Sequence, residues 1–436
     1  MPKQTSAVSL SSPIQYVCWL SRPRLIALFW MGAVIAVVVM ACVGPVGWDA
    51  KDFWKAIQTV HHGSDPYAED LVARQEYHYS PMTLPLLRLL AVFPGWLLRL
   101  LYWAAVATGS LLELWAGFQM ADQRERRWLA LMLPAVTFFP GLITDDVILS
   151  GNVAYPLYGV ILAAAVSGWK RGSWSWFYIA VLAASVFKTP FLALLAFPVL
   201  MDGRQWVRSG MTAVTGVLIF AAQMRLWPDM FREYLLTLRL MFDGGHDFGY
   251  GPVGTLGKAL WRRGLPFSPA TTILYLIFAC VLGIVLLFLA RRVREWKLPR
   301  ETWVPVALVG TALLNPRIQK YDLAAFTVPM LLIGWRALRF ALGGSPGERQ
   351  GGNSHGTGQN RSDRTLILVG SGCFLIPNVI TVAGPSWFPV ELVVLLAIFA
   401  MGVWSLDQSR LEVQSLVAPP GTSAEDPREA LVEQEP

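Results

Sequence analysis

The chain has 436 residues, of which 54% are hydrophobic and only 15% charged, with a mean hydropathy of +0.46. A soluble chain of this length is nearer a quarter charged, so the composition excludes an ordinary globular enzyme and favours a polytopic membrane protein. The net charge of +7 is loop charge of the positive-inside kind and need not signal nucleic acid. Four cysteines, Cys18, Cys42, Cys280 and Cys373, are scattered with no CxxC or His/Cys spacing, which argues against a metal centre and a disulfide framework.

Residues 1–24 are polar and carry Lys3, Arg22 and Arg24, which places the N-terminus in the cytoplasm. The run Leu25 to Val46 is too long for a signal-peptide core and reads as an anchor. The stretch 47–94 then lies outside. It carries Asp49 and Asp52, followed by an apolar stripe at Phe53, Ala56, Ile57 and Val60 with Lys51, Lys55, Gln58 and Thr59 opposite. That split predicts a short amphipathic helix at the membrane surface, ended by Gly63 and Pro66. An aromatic cluster at Tyr77, His78 and Tyr79 precedes the apolar piece Pro81 to Phe93, which its prolines and Arg88 make a poor crossing.

Crossings are expected at Gly95 to Met120, Trp128 to Leu149, Asn152 to Trp169, and Trp206 to Met224. Between the last two, Trp174 to Phe187 and Phe191 to Met201 flank the break Lys188-Thr189-Pro190 and read as a broken hairpin. The loop 225–266 has a helical stripe at Phe231, Tyr234, Leu235 and Leu238, then a glycine-rich part from Gly244 that reads as mobile. Pro269 to Ala290, Trp303 to Leu314 and Tyr321 to Phe340 are further crossings. A Gly/Ser/Asn-rich cytoplasmic linker at 342–364, a hairpin at 365–406 and a disordered cytoplasmic tail at 407–436 complete the chain. The reading is an all-α bundle of about 12 crossings with both termini inside. Basic residues on the outer side cluster at Lys51/Lys55, from Arg225 to Arg263, and at Arg317/Lys320, as an anionic lipid headgroup requires.

One set of residues resembles a known family. Asp52-Phe53, Gly63, Pro66-Tyr67 and Tyr79-Ser80-Pro81, with the apolar run ending at Pro94, are similar to the pattern D-F…G-x-x-P-Y…Y-x-P of glycosyltransferase family 87, which has the GT-C architecture. Ser150-Gly151-Asn152, Lys188-Thr189-Pro190, and Asn315-Pro316-Arg317 with Lys320-Tyr321 resemble further family stretches. The likeness spans residues 25–341, which would be the catalytic domain. It departs from the family near residue 320, where Gln319, Lys320 and Tyr321 stand in place of paired histidines. The resemblance implies a GT-C-like enzyme of the bacterial cell (inner) membrane. It would move a hexose, typically mannose, from a polyprenyl-phosphate donor to a lipid or glycan acceptor on the extracytoplasmic face.

Such chemistry needs a base for the acceptor hydroxyl, a cationic clamp for the departing phosphate and a wall for the lipid. The matching D-F position makes Asp52 the candidate base. Lys320, Arg317, Lys188 and Arg262 are candidate phosphate ligands. Asp49, Asp145, Asp146 and Tyr79 are candidates for the acceptor side. Each has a plainer alternative: a solvated end charge for the aspartates, snorkelling or interface anchoring for the cations, an aromatic belt for Tyr79. A monophosphate held by Arg and Lys requires no metal, and neither a cofactor nor a nucleic-acid partner is expected. Two other classes stay open: a 12-span secondary transporter, and a non-catalytic flippase or assembly partner for lipid-linked sugars.

Overall fold

The computed structural model describes residues 23–43, 47–67, 77–138, 151–152, 154–243, 249, 251–265, 269–316, 318, 322, 326–342 and 390–417. The regular elements among the described residues are all helical: α1 Pro23–Val43, α2 Trp48–His61, α3 Leu84–Leu90, α4 Gly95–Met120, α5 Gln123–Phe138, α6 Ala154–Arg171, α7 Ser175–Phe187 and α8 Ala196–Met201. They continue with α9 Trp206–Leu226, α10 Pro228–Asp243, α11 Pro252–Trp261, α12 Pro269–Glu295, α13 Arg300–Leu313, α14 Thr327–Leu342 and α15 Val390–Val417. Among the described residues four helical stretches, Gly95–Met120, Gly203–Leu226, Pro269–Glu295 and Leu392–Gln414, are long and apolar enough to cross a membrane. Their outward faces are apolar too: Leu218 on α9 and Ile284 on α12 are exposed, as lipid-facing side chains would be. The described chain is thus all-helical, with helices of membrane-spanning length and apolarity. Other expected crossings appear as shorter helices, such as the 13-residue α7 and the 14-residue α13.

Local sequence explains several boundaries. Asp122 and Glu125 form a capping box at the start of α5: the Glu125 N–H donates to Asp122 Oδ1 at 2.8 Å and the Asp122 N–H donates to Glu125 Oε2 at 2.9 Å. The helix α7 stops at Lys188, whose backbone is extended, and Pro190 follows inside a 3-10 turn over Thr189–Leu195. The chain then returns through α8, and the Tyr178 hydroxyl of α7 donates to Gln205 Oε1 at 3.2 Å, so this segment is a hairpin as expected. Glycine lets α4 and α6 approach backbone to backbone: a Cβ on Gly109 would lie 2.9 Å from Pro156 Cα.

The bundle has two unlike ends. At one, exposed Arg126, Arg127, Lys170, Arg171, Arg204, Arg208, Arg291, Arg292 and Arg294 gather. There the buried Arg336 of α14 ties three helix ends together. Its Nε donates to Glu125 Oε1 at 2.7 Å, one terminal nitrogen to the Met120 carbonyl at 3.1 Å, and the other to the Glu301 carbonyl at 2.8 Å. At the opposite end, α2, α3 and α10 build a second apolar cluster, separate from the bundle core, around Phe53, Tyr67, Tyr77, Tyr79, Leu87, Phe231 and Tyr234. Helix α13 is buried from Trp303 to Leu313 and forms the centre of the main core.

Two expectations about order fail. Part of the glycine-rich loop is the helix α11, for which Gly251 is an extended N-cap and Pro252 a favourable first residue. The tail does not begin at Asp407 either. Helix α15 runs on to Val417, held by an Asp407–Arg410 pair at 3.0 Å and by the Arg410 guanidinium over the Trp296 ring. Residues 139–150, 343–389 and 418–436 lie outside the described residues, as do the linker and the first half of the last hairpin.

Candidate functional site

The helix α2 forms as its stripe predicts, with Phe53, Ala56 and Ile57 buried and Lys51, Lys55 and Gln58 exposed. Burying Phe53 and Ile57 stabilises its seat by about 1.5–3 kcal/mol each. The helix starts at Trp48, earlier than the stripe suggests, so Asp49 stands in its first turn and Asp52 one turn on. Spacing of three puts both carboxylates on one side of the helix.

Asp49 is no solvated end charge, since its solvent exposure is 0%. The Tyr79 hydroxyl donates to both of its oxygens, at 2.9 and 3.0 Å, and His78 Nε2 lies 3.8 Å from Oδ1. Tyr79 is itself positioned from three sides. It stacks on His78 at 4.8 Å, meets Phe53 edge-on at 5.5 Å, and its carbonyl accepts from the Tyr67 hydroxyl. Tyr79 is therefore buried and committed to Asp49, not part of a lipid-facing belt. Burial pushes the Tyr67 and Tyr77 phenols well above the usual tyrosine range, Tyr77 despite its hydrogen bond with Thr83.

Asp52 is half-buried beside this network. On the neighbouring face of α2, Ala50, Phe53, Trp54 and Ile57 line a cavity of about 280 Å³. Its other walls are Leu86 and Leu90 of α3, Leu98, Arg99 and Tyr102 of α4, Pro156 and Leu157 of α6, and Phe187 of α7. The lining is almost wholly apolar apart from Arg99 and Tyr102. Tyr102 lies within electrostatic reach of Asp49, and among the described residues its hydroxyl has no hydrogen-bond partner. The turn Gly151-Asn152 packs against the start of α2. Gly151 has φ +70°, and a Cβ there would lie 2.7 Å from Ala50 Cβ, so both backbone and space require glycine. Asn152 is buried and its Oδ1 accepts the Ala154 N–H at 2.8 Å, capping α6.

A second charged group sits at the same end. Lys188 does not snorkel to the surface: its Nζ lies 3.5 Å from Asp322 Oδ1. The Tyr158 hydroxyl of α6 donates to that same oxygen at 2.7 Å. Phe187, adjacent to Lys188, lines the 280 Å³ cavity, so the two groups share one end of α7.

The structure thus brings Asp49, Asp52, Tyr79 and Lys188 to one end of the bundle. Arg262 is exposed at the end of α11. Asp145, Asp146, Arg317 and Lys320 lie outside the described residues. Sequence reasoning missed Arg99, Tyr102, Tyr158 and Asp322. The first two sit in an apolar run that looks like plain span. Asp322 follows Lys320-Tyr321 and could have been noticed as a lone carboxylate at the mouth of a crossing. Among the described residues no group of three or more His, Cys, Asp or Glu is arranged to hold a metal ion. No protein-family model matches the chain, and no curated protein matches it.

Proposed function

We propose that the protein is an integral-membrane glycosyltransferase that moves a hexose, mannose foremost, from a polyprenyl-phosphate donor to an acceptor hydroxyl. The observation that carries the reading is the juxtaposition on α2 of a half-buried carboxylate, Asp52, with the wall of a 280 Å³ apolar cavity. A lipid-linked donor needs such a wall, and its acceptor needs a base within reach of water. The order of sequence motifs shared with glycosyltransferase family 87 supports the same reading. In its finer form it is a GT-C bundle of about 12 crossings in the cell membrane. The site end would face outward, because the cationic end is the one the positive-inside rule keeps in the cytoplasm.

In this reaction the acceptor oxygen attacks the anomeric carbon as the bond from that carbon to the phosphate oxygen breaks. The acceptor proton passes to Asp52, the polyprenyl phosphate leaves with the bonding pair, and the anomeric centre inverts. Asp49, held by Tyr79, sets the geometry of α2 under Asp52. Arg99 and Lys188 supply positive charge for the leaving phosphate, with Arg317 and Lys320 as further candidates.

The test is sugar transfer in membranes carrying the protein, with a panel of radiolabelled polyprenyl-phosphate sugars. Transfer from one donor class supports the reading, and no transfer from any donor to membrane acceptors removes it. One observation favours a secondary transporter instead: Glu113 is buried in the second half of α4, and its carboxyl interacts with the Tyr155 hydroxyl of α6. Solute uptake in proteoliposomes driven by a proton gradient would establish that reading.

A further inference from the structure

The cationic end of the bundle, opposite α2, carries a group of arginines that the fold leaves unneutralised. We propose that Arg204, Arg208, Arg294 and Arg300 form a site for the phosphate headgroup of an anionic phospholipid, whose acyl chains lie on the exposed apolar face of α9. The proposal does not depend on the transferase reading.

Most cations at this end have internal partners. Arg291 and Arg292 share Glu295, Arg336 holds Glu125, Arg339 reaches Asp122, and Arg126 donates to the helix-end carbonyls of Phe118 and Ala121. Arg204, Arg208, Arg294 and Arg300 differ. All four are exposed, and none forms an ion pair with another described residue. They come from the turn before α9, the first turn of α9, the last turn of α12 and the start of α13. The turn at Asp202-Gly203 gathers them. Asp202 is within electrostatic reach of Arg204 and Arg300, and an Arg294 terminal nitrogen would lie 3.2 Å from a Cβ on Gly203. Tyr178 of α7 is within reach of Arg208 and of Asp202. Asp202 does not neutralise the group, because its oxygens accept the Arg204 backbone N–H at 3.1 Å and the Gln205 amide at 3.2 Å. Beside the arginines, α9 turns apolar side chains outward: Trp206 is 67% and Met211 66% exposed, and Val207 and Val214 are exposed with them. Tryptophan at a helix end belongs at the boundary between headgroups and chains. Gathered cations beside a lipid-facing helix at the cationic end suit an anionic headgroup, with its chains on the apolar face. The positive-inside rule explains why cations are at this end, but not why these four converge while their neighbours are paired.

The experiment titrates the full chain, purified in a neutral detergent, with phosphatidylglycerol or with phosphatidylcholine of the same acyl chains, and counts bound lipid by native mass spectrometry. The parent should prefer phosphatidylglycerol by about tenfold or more. Arg204→Gln/Arg208→Gln should weaken phosphatidylglycerol binding about 25-fold, about fivefold for each arginine removed, and leave phosphatidylcholine unchanged. Arg300→Gln should weaken it about fivefold. The comparison variant is Arg291→Gln/Arg292→Gln, which removes the same charge from the same end but from side chains already paired with Glu295. It should bind within about twofold of the parent. The substituted side chains are all exposed, so each variant should melt with the parent. Equal affinity for the two lipids in the parent overturns the proposal, and so does a folded Arg204→Gln/Arg208→Gln variant that binds like the parent. A comparison variant that loses as much as the cluster variant shows a diffuse field in place of a site and overturns it too. Glycerol 3-phosphate binding as tightly as phosphatidylglycerol would make the ligand a soluble phosphate and would also overturn it.

Discussion

Replacing Tyr79 by phenylalanine isolates the contact that holds Asp49. The substitution removes one oxygen and keeps the ring, so the edge-on contact with Phe53 and the stack on His78 are retained. What is lost is the hydroxyl that lies 2.9 and 3.0 Å from the two Asp49 oxygens. Asp49 has no solvent exposure, so water cannot take the place of that donor without opening the site. A hydrogen bond to a charged acceptor contributes about 1.5–3 kcal/mol, a tenfold or greater shift in the folding equilibrium. Reversible unfolding in mixed detergent micelles, followed by tryptophan fluorescence, measures it. Adding Asp49→Leu to Tyr79→Phe should cost less than the sum of the two single changes, because the two residues share one interaction. If Tyr79→Phe unfolds within about 0.5 kcal/mol of the parent, well under the expected loss, the hydroxyl does not anchor Asp49 and the account of α2 is wrong.

Two further predictions concern stability. Arg336→Met strands the buried Glu125 and two helix-end carbonyls, and should destabilise the bundle by about 3–5 kcal/mol. Combining it with Glu125→Gln should recover part of that loss, and transfer per folded molecule should stay near parental because the site lies at the other end. In alkali, burial holds the folded-state pKa of Tyr67 and Tyr77 above the unfolded value of about 10. Their contribution is therefore complete below about pH 10 and lost as pH rises through the folded-state values. Melting should drop above about pH 10, with phenolate absorbance from these residues appearing only as the protein opens; titration of all tyrosines in the intact fold would contradict this.

Much of this arrangement is legible in the sequence because it is local. The stripe Phe53, Ala56, Ile57 and Val60 announces α2, the break at Lys188-Thr189-Pro190 announces the hairpin, and Gly95 to Met120 is recovered as α4. The chemistry is less legible because its contacts are distant along the chain. Asp49 looks like a solvated end charge until Tyr79, 30 residues on, is brought against it. The partner of Tyr158 is 164 residues away, and that of Glu125 is 211 residues away, so no periodicity points to either. The length of α15 was missed for a related reason: its polar last turns read as a tail until Arg410 finds Trp296. The number of crossings is not legible in the same way, since hydropathy marks apolar runs without saying whether a run such as α7 or α13 is a full span.

In the proposed reaction Asp52 takes the acceptor proton at the edge of the apolar cavity. The most direct test compares sugar transfer from a polyprenyl-phosphate hexose by the parent and by Asp52→Asn, in proteoliposomes of matched protein content. Asparagine keeps the size of the side chain and removes its basicity. The account predicts a folded variant that binds donor like the parent and has lost about 100-fold or more in rate, the scale of general-base catalysis. Transfer at near the parental rate by Asp52→Asn would contradict it and move the search for the base to Asp49.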